Sequence, residues 1–167
     1  ADGIAKLHAQ GFVEPLRDAI CAGKPVLGIC LGLHVLFSQS EEFGLHQGLE
    51  VLRGRVRRLP EGREAGGGER LKIPHMGWNR VRMERPAPLF QGLPDAPYFY
   101  FVHSYYVEPE DPAVVAGTTD YGLRFASVIW RDNLYATQFH PEKSQAAGLK
   151  LLGNFAALCA AGATGNP

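Results

Sequence analysis

Apolar positions along this chain change their period twice. Within residues 2–22, Val13, Leu16 and Ile20 recur at spacings of three and four, which predicts helical structure in two pieces broken near Gly11. Gly23 reads as a helix stop, and residues 24–30, carrying Val26, Leu27 and Ile29, predict a short buried strand. A helix from Leu31 to about Ser40 follows, completing a helix–strand–helix unit of the α/β kind. From Leu49 onward the signal becomes extended. LEVLRGRVRRL (49–59) is strand-like, PEGREAGGGE (60–69) reads as an exposed loop, and IPHMGWNRVRM (73–83) resumes an extended pattern. After the proline-punctuated RPAPLFQGLPDAP (85–97), the aromatic run YFYFVHSYYV (98–107) predicts one central strand. AVVAGTTDYG (113–122) and FASVIWRDNLYATQFHPE (125–142) predict further strands, with a hairpin at Arg131, Asp132 and Asn133. Ser144 is placed to cap a last helix on which Leu152, Phe155 and Cys159 share a face.

The change from strand to helix falls on GICLG, residues 28–32, and sets Cys30 at the bend. A glycine two residues before and two after a nucleophile is the pattern of a sharp strand-to-helix turn, in which a Cβ beside the turn would collide with neighbouring backbone. At the start of a helix, the dipole and free N–H groups favour a thiolate. Cysteine is also among the most buried residue types, so a packed core thiol is the competing reading. Cys21 and Cys159 lie on apolar helical faces and read as core.

A nucleophilic thiol needs an imidazole, and the imidazole an orienting acceptor. QFHPEKS (138–144) offers His140 and Glu142 two residues apart, which in extended backbone places both on one face, with Pro141 stiffening the link. The alternative is a histidine at a strand end whose neighbouring glutamate caps the next helix. His8 and His46 read as surface residues, His34 packs near or lines the bend, and His103 reads as a satisfied core histidine.

Composition narrows the field by exclusion. At 167 residues, with 46% hydrophobic and 20% charged positions, the chain is one domain's worth of ordinary globular sequence. Seventeen basic residues balance seventeen acidic ones, so no net field recruits nucleic acid or an anionic membrane. The basic stretch at residues 53–63 reads as a solvated strand face and loop. Three cysteines, an odd and sparse set, fit a reducing cytoplasmic setting rather than a disulfide framework. No signal peptide, membrane span or metal-ligand spacing stands out, and no cofactor or metal is expected. The chain starts at Ala1 and runs directly into helical sequence, which reads as an incomplete N-terminus.

GICLG followed far downstream by HPE resembles the class I glutamine amidotransferases, whose Cys–His–Glu triad hydrolyses glutamine to glutamate and ammonia. PHMGWN (74–79), YFVHSYY (100–106) and QFHPEKSQ (138–145) narrow the likeness to the glutaminase subunits of imidazole glycerol phosphate synthases, and it covers essentially the whole chain. The resemblance implies a mixed sheet flanked by helices. It also implies that Cys30 is the nucleophile, His140 the acid–base, Glu142 its orienter, and the Leu31 N–H an oxyanion donor. His34, Glu42, Ser104 and Tyr105 correspond to the substrate pocket. Met76, Trp78, Asn79 and Lys143 correspond to the interface with a (β/α)₈ synthase subunit, which takes the ammonia and forms imidazole glycerol phosphate and AICAR for histidine biosynthesis. An exposed tryptophan suits an interface anchor, although a lone tryptophan is more often core.

Two departures from the family pattern carry expectations of their own. The family usually has glutamine where this chain has His34, which implies altered substrate affinity. The family also begins with strands and a Pro-Gly loop that supplies a second oxyanion donor. Losing one such donor costs about 2.7–4 kcal/mol, or about 10²–10³ in rate. The expectation is therefore a single N-terminally incomplete amidotransferase domain over residues 1–167, weakened or unstable as it stands. The remaining alternatives are a non-catalytic scaffold subunit and an amidotransferase serving another acceptor.

Overall fold

The computed structural model describes residues 2–42, 44–62 and 71–163. The expected loop at 60–69 falls mostly outside them. The leading helical stretch is broken as its pattern predicts: α1 (Asp2–Ala9) and α2 (Val13–Cys21) part at Gly11, whose φ of 69° suits a residue without Cβ. Val13, with Leu16, packs against Val35 and Leu49. Cys21 is exposed, not core. It follows Ile20 by one position, which turns it about 100° around the helix and away from the stripe.

β1 (Val26–Ile29) and α3 (Leu31–Val35) meet at Cys30 as expected, but the helix is short. Residues 37–40, expected to be helical, form the strand β2 (Phe37–Ser40) instead. Phe37 is fully buried and pairs in register with Leu52, so sheet pairing overrides the local pattern. After β3 (His46–Gln47), β4 (Leu52–Arg58) alternates cleanly: Leu52, Gly54 and Val56 face inward while the arginines face solvent.

β5 (His75–Arg80) and β6 (Arg82–Met83) realise the extended pattern around PHMGWN. The aromatic run does not make one strand. It divides at Ser104 into β7 (Tyr98–His103) and β8 (Tyr105–Pro109). β7 pairs with β5 in a two-stranded ribbon, whereas β8 pairs with β4 and β10 in the main sheet. β9 (Val115–Asp120), β10 (Arg124–Arg131) and β11 (Leu134–Thr137) follow. The hairpin between β10 and β11 turns on Asp132 and Asn133, with Asp132 at φ 53°.

The main sheet runs β1-β11-β10-β8-β4-β2-β3, with β9 and β6 branching from β10. It is mixed, since β1–β11 and β2–β4 are parallel and the other pairs antiparallel. All of β11 is buried: Leu134 and Ala136 enter one apolar cluster with Leu33 and Phe37, and Tyr135 enters a second with Phe99 and Phe139. α4 (Gln145–Ala163) covers the second cluster. Its inward stripe is Ala147, Leu151, Phe155 and Leu158, so Leu152 and Cys159 flank the buried face rather than define it. The architecture is the expected α/β fold. No described helix is long and apolar enough to cross a membrane.

Candidate active site

Cys30 sits at the strand–helix junction with φ 50° and ψ −101°, in a region that costs a non-glycine residue about 1–3 kcal/mol. The strain is held from both sides. Cys30 N–H donates to Thr137 O at 2.7 Å, and its carbonyl accepts from Leu33 N and His34 N. Gly28 is required for the turn, because a Cβ there would lie 2.8 Å from Gly32 O. Gly32 is not, since a Cβ at that position meets nothing within 4 Å.

The thiol contacts Val102 O at 3.9 Å and accepts from Gln138 Nε2 at 3.8 Å. The expectation of a favoured thiolate is reversed in the net. Burial pushes the Cys30 thiol above its ordinary value, opposed by the Leu31 N–H and the Gln138 amide and reinforced by the charges of Glu42 and Glu142. α3 has only five residues, and desolvation outweighs what its amides supply. A thiol so placed favours its neutral form and would need a base to act as a nucleophile.

His140 and Glu142 meet, though not as two positions of one strand. His140 has extended backbone while Glu142 lies in the 3-10 turn Pro141–Lys143. That turn brings Glu142 Oε1 to 2.6 Å from His140 Nδ1, so Nδ1 carries the proton that is donated, and Nε2 has no hydrogen-bond partner among the described residues. The His140 backbone is clamped at both ends, its N–H donating to Tyr100 O and its carbonyl accepting from Ser144 Oγ at 2.6 Å. Ser144 Oγ also accepts from Tyr100 N, so this hydroxyl ties the turn to β7 instead of capping α4. Among the described residues no hydrogen bond joins Cys30 directly to His140.

A cleft of about 290 Å³ opens beside the thiol, walled by Cys30, Leu31, His34, Glu42, Pro74, Val102, His103, Ser104 and Tyr105. It gathers Cys30, Leu31 and the expected pocket residues His34, Glu42, Ser104 and Tyr105, while His140 is not part of its wall. The break at Ser104 makes this wall, because it turns Val102 O, Ser104 and Tyr105 toward the elbow. His34 is buried, with Nε2 3.0 Å from Gln138 Oε1 and Nδ1 without a partner. Burial lowers its pKa below the usual histidine value. Gln138 was not singled out from the sequence, although it stands in the quoted QFHPEKS stretch. The parallel register of β1 and β11, pairing Ile29 with Thr137, delivers it to the thiol.

The four residues expected at a subunit interface divide. Met76 and Trp78 are 62% and 46% exposed on one face of β5, and Lys143 is exposed on the turn tied to neighbouring β7. Asn79 is on the opposite face, donating to Asp120 O at 2.9 Å. No group of His, Cys, Asp and Glu suited to a metal occurs among the described residues.

Comparison with known proteins matches residues 2–158 to the family model "Glutamine amidotransferase class-I". The chain is 58% identical over 154 residues to the imidazole glycerol phosphate synthase subunit HisH of Syntrophotalea carbinolica, covering 92% of this chain and 74% of that protein. It is 53% identical over 154 residues to HisH of Geobacter sulfurreducens, covering 92% and 73%. A crystal structure of a glutamine amidotransferase superposes with a TM-score of 0.64 at 18% identity, covering 92% of this chain and 71% of that one. The Trypanosoma brucei CTPS glutaminase domain with bound acivicin gives 0.58 at 18%, covering 95% and 67%.

Proposed function

This chain belongs to the class-I glutamine amidotransferase family, and from that premise we propose that it is the glutaminase subunit of an imidazole glycerol phosphate synthase. It hydrolyses glutamine to glutamate and ammonia. The ammonia passes to a (β/α)₈ cyclase subunit, where the ring-forming lyase step of histidine biosynthesis belongs. The names of the relatives favour this acceptor over another and the enzyme over a scaffold. One observation carries the catalytic reading. A cysteine with strained backbone at a strand–helix bend opens into a cleft that also holds Glu42, Ser104 and Tyr105.

The chemistry runs in two halves. His140 Nε2 takes the Cys30 proton, and the sulfur attacks the side-chain amide carbon of glutamine. The Leu31 N–H meets the oxygen as it gains charge. The carbon–nitrogen bond breaks as His140 returns the proton to the departing nitrogen, leaving a glutamyl thioester and ammonia. Water then gives a proton to His140 and adds to the thioester, and the thiol is reprotonated as glutamate leaves. Glu142 balances the ring's charge while it holds a proton and keeps Nε2 aimed at the sulfur. Glu42 receives the substrate's α-ammonium, Ser104 and Tyr105 line its backbone end, and His34 closes the cleft floor. Met76, Trp78 and Lys143 form the docking face for the cyclase.

Glutamate release from glutamine tests this, measured alone and with the cyclase subunit and its nucleotide ligand present. Release by the pair that disappears in Cys30→Ala is the expected result. Release that survives in Cys30→Ala, or none from the wild-type pair although the subunits bind, would overturn the reading.

A further inference from the structure

Behind the cleft wall lies a chain of polar groups that the chemistry above does not use. His75 on β5 and His103 on β7 face each other across the ribbon, register partners with Nδ1 of His75 2.9 Å from Nε2 of His103. Both rings are buried, at 3% and 5% exposure. His103 Nδ1 lies 2.8 Å from Tyr105 O, spanning the Ser104 bend. At the other end, His75 Nε2 lies 3.2 Å from Asn79 Nδ2.

The direction of every link follows from the two ends. Asn79 Oδ1 accepts from Arg80 N at 2.8 Å and Asn79 Nδ2 donates to Asp120 O, so the amide cannot be turned over. The same NH₂ therefore donates to His75 Nε2, which must be bare. A neutral His75 then carries its proton on Nδ1 and donates to His103 Nε2. His103 in turn carries its proton on Nδ1 and donates to the carbonyl of Tyr105. No link conflicts with another. Protonating either ring would set two N–H groups against each other, and the structure opposes it: burial lowers His75 to about 4 and His103 to about 3. The titratable groups near His103 are His75, His34 and His140, and His75 is held flat between Phe101 and Tyr121 at ring-centroid distances of 4.8 and 3.9 Å.

We propose that Asn79, His75 and His103 are positioning residues, a one-way hydrogen-bond relay that fixes the Ser104–Tyr105 bend in the conformation that receives glutamine. The assignment of the cleft to glutamine rests on the function proposed above; the relay itself does not. It gives Asn79 a role within its own chain, on the face of β5 opposite Met76 and Trp78.

Two measurements test it. Long-range ¹⁵N–¹H spectra of the labelled chain report which nitrogen of each ring holds the proton. Both His75 and His103 are expected neutral and protonated on Nδ1 down to about pH 5. An Nε2–H tautomer for either, or titration near the ordinary histidine value, would overturn the relay. Asn79→Asp then replaces the donor by a carboxylate, which only accepts. His75 must gain a proton on Nε2, and either its charge or its tautomer changes in the spectrum. With the cyclase saturating, the KM for glutamine should rise about three- to tenfold, the size of one lost hydrogen bond, with kcat much less affected. An altered His75 spectrum with unchanged KM would overturn the positioning role, and weakened subunit binding alone would return Asn79 to the interface. If Asn79→Asp does not fold, the wild-type tautomers still decide. Absence of glutamate release from the wild-type pair would sink the glutamine reading while leaving the tautomer result intact.

Discussion

His140 and the His75–His103 pair are the same residue type, within reach of each other's charge, in opposite surroundings. His140 faces a carboxylate at 2.6 Å, keeps part of its surface in solvent, and has no hydrogen-bond partner at Nε2 among the described residues. An imidazole so placed can take up a proton because the charge it acquires is balanced on the spot. His75 and His103 face an amide, each other and a carbonyl, with no carboxylate among the described residues bonded to either ring. Burial among Phe101, Phe125 and Tyr121 then holds them neutral. The partner, more than the residue, decides whether a histidine moves protons or fixes geometry. His34 belongs with the second kind, bonded to the Gln138 amide.

Removing the ring proposed to move protons should have the largest effect. His140→Asn is expected to lower glutamate release by the subunit pair about 10²–10⁴-fold, the usual worth of a positioned acid–base. The ring is partly exposed and its backbone anchors remain, so the melting temperature should barely move. A loss below tenfold would mean that another group takes the thiol proton, and the contrast with the buried pair would collapse.

The buried pair should show itself in stability. Folded-state values of about 4 and 3 lie below the ordinary histidine value near 6.5. Lowered values mean that the contribution is fully present above about pH 6.5 and is lost as pH falls through 4 and then 3. The melting temperature should therefore fall steadily from pH 6.5 toward 3, as the unfolded chain binds protons that the folded one refuses. His75→Phe should flatten part of that slope, and an unchanged slope would show that carboxylates alone cause it.

The sequence marked Cys30, His140 and Glu142 as candidates because their cues are local: a bend between glycines, and a histidine two residues from a glutamate. Even there the mechanism of contact was misjudged, since Glu142 reaches the ring from a 3-10 turn rather than from a shared strand face. The strand-to-helix bend was legible, but the end of α3 was not, because Phe37 follows Leu52 in the sheet rather than the helical pattern before it. The break at Ser104 was hidden by an unbroken run of strand-forming residues; only pairing to two different sheets divides it. The placement of Asn79 was available, since alternation along a strand already sends it to the face opposite Trp78.

Gln138 was the residue least legible in advance, because its role depends on a register between strands more than 100 residues apart in sequence. Its amide is oriented by His34: with His34 Nε2–H donating to Oε1, the NH₂ must face the Cys30 sulfur. A donor at that sulfur favours the thiolate against the burial that disfavours it. Gln138→Leu removes the donor, keeps the volume roughly, and leaves His140 and Glu142 untouched. The rate of Cys30 alkylation by iodoacetamide, followed against pH, should then move to higher pH than in the wild type, while the melting temperature falls only modestly. His34→Gln should give a smaller shift in the same assay, because a glutamine can still donate to Oε1. A Gln138→Leu profile that overlays the wild type would mean that the 3.8 Å contact carries no stabilisation of the thiolate, and that Leu31 N–H alone opposes the burial of the sulfur.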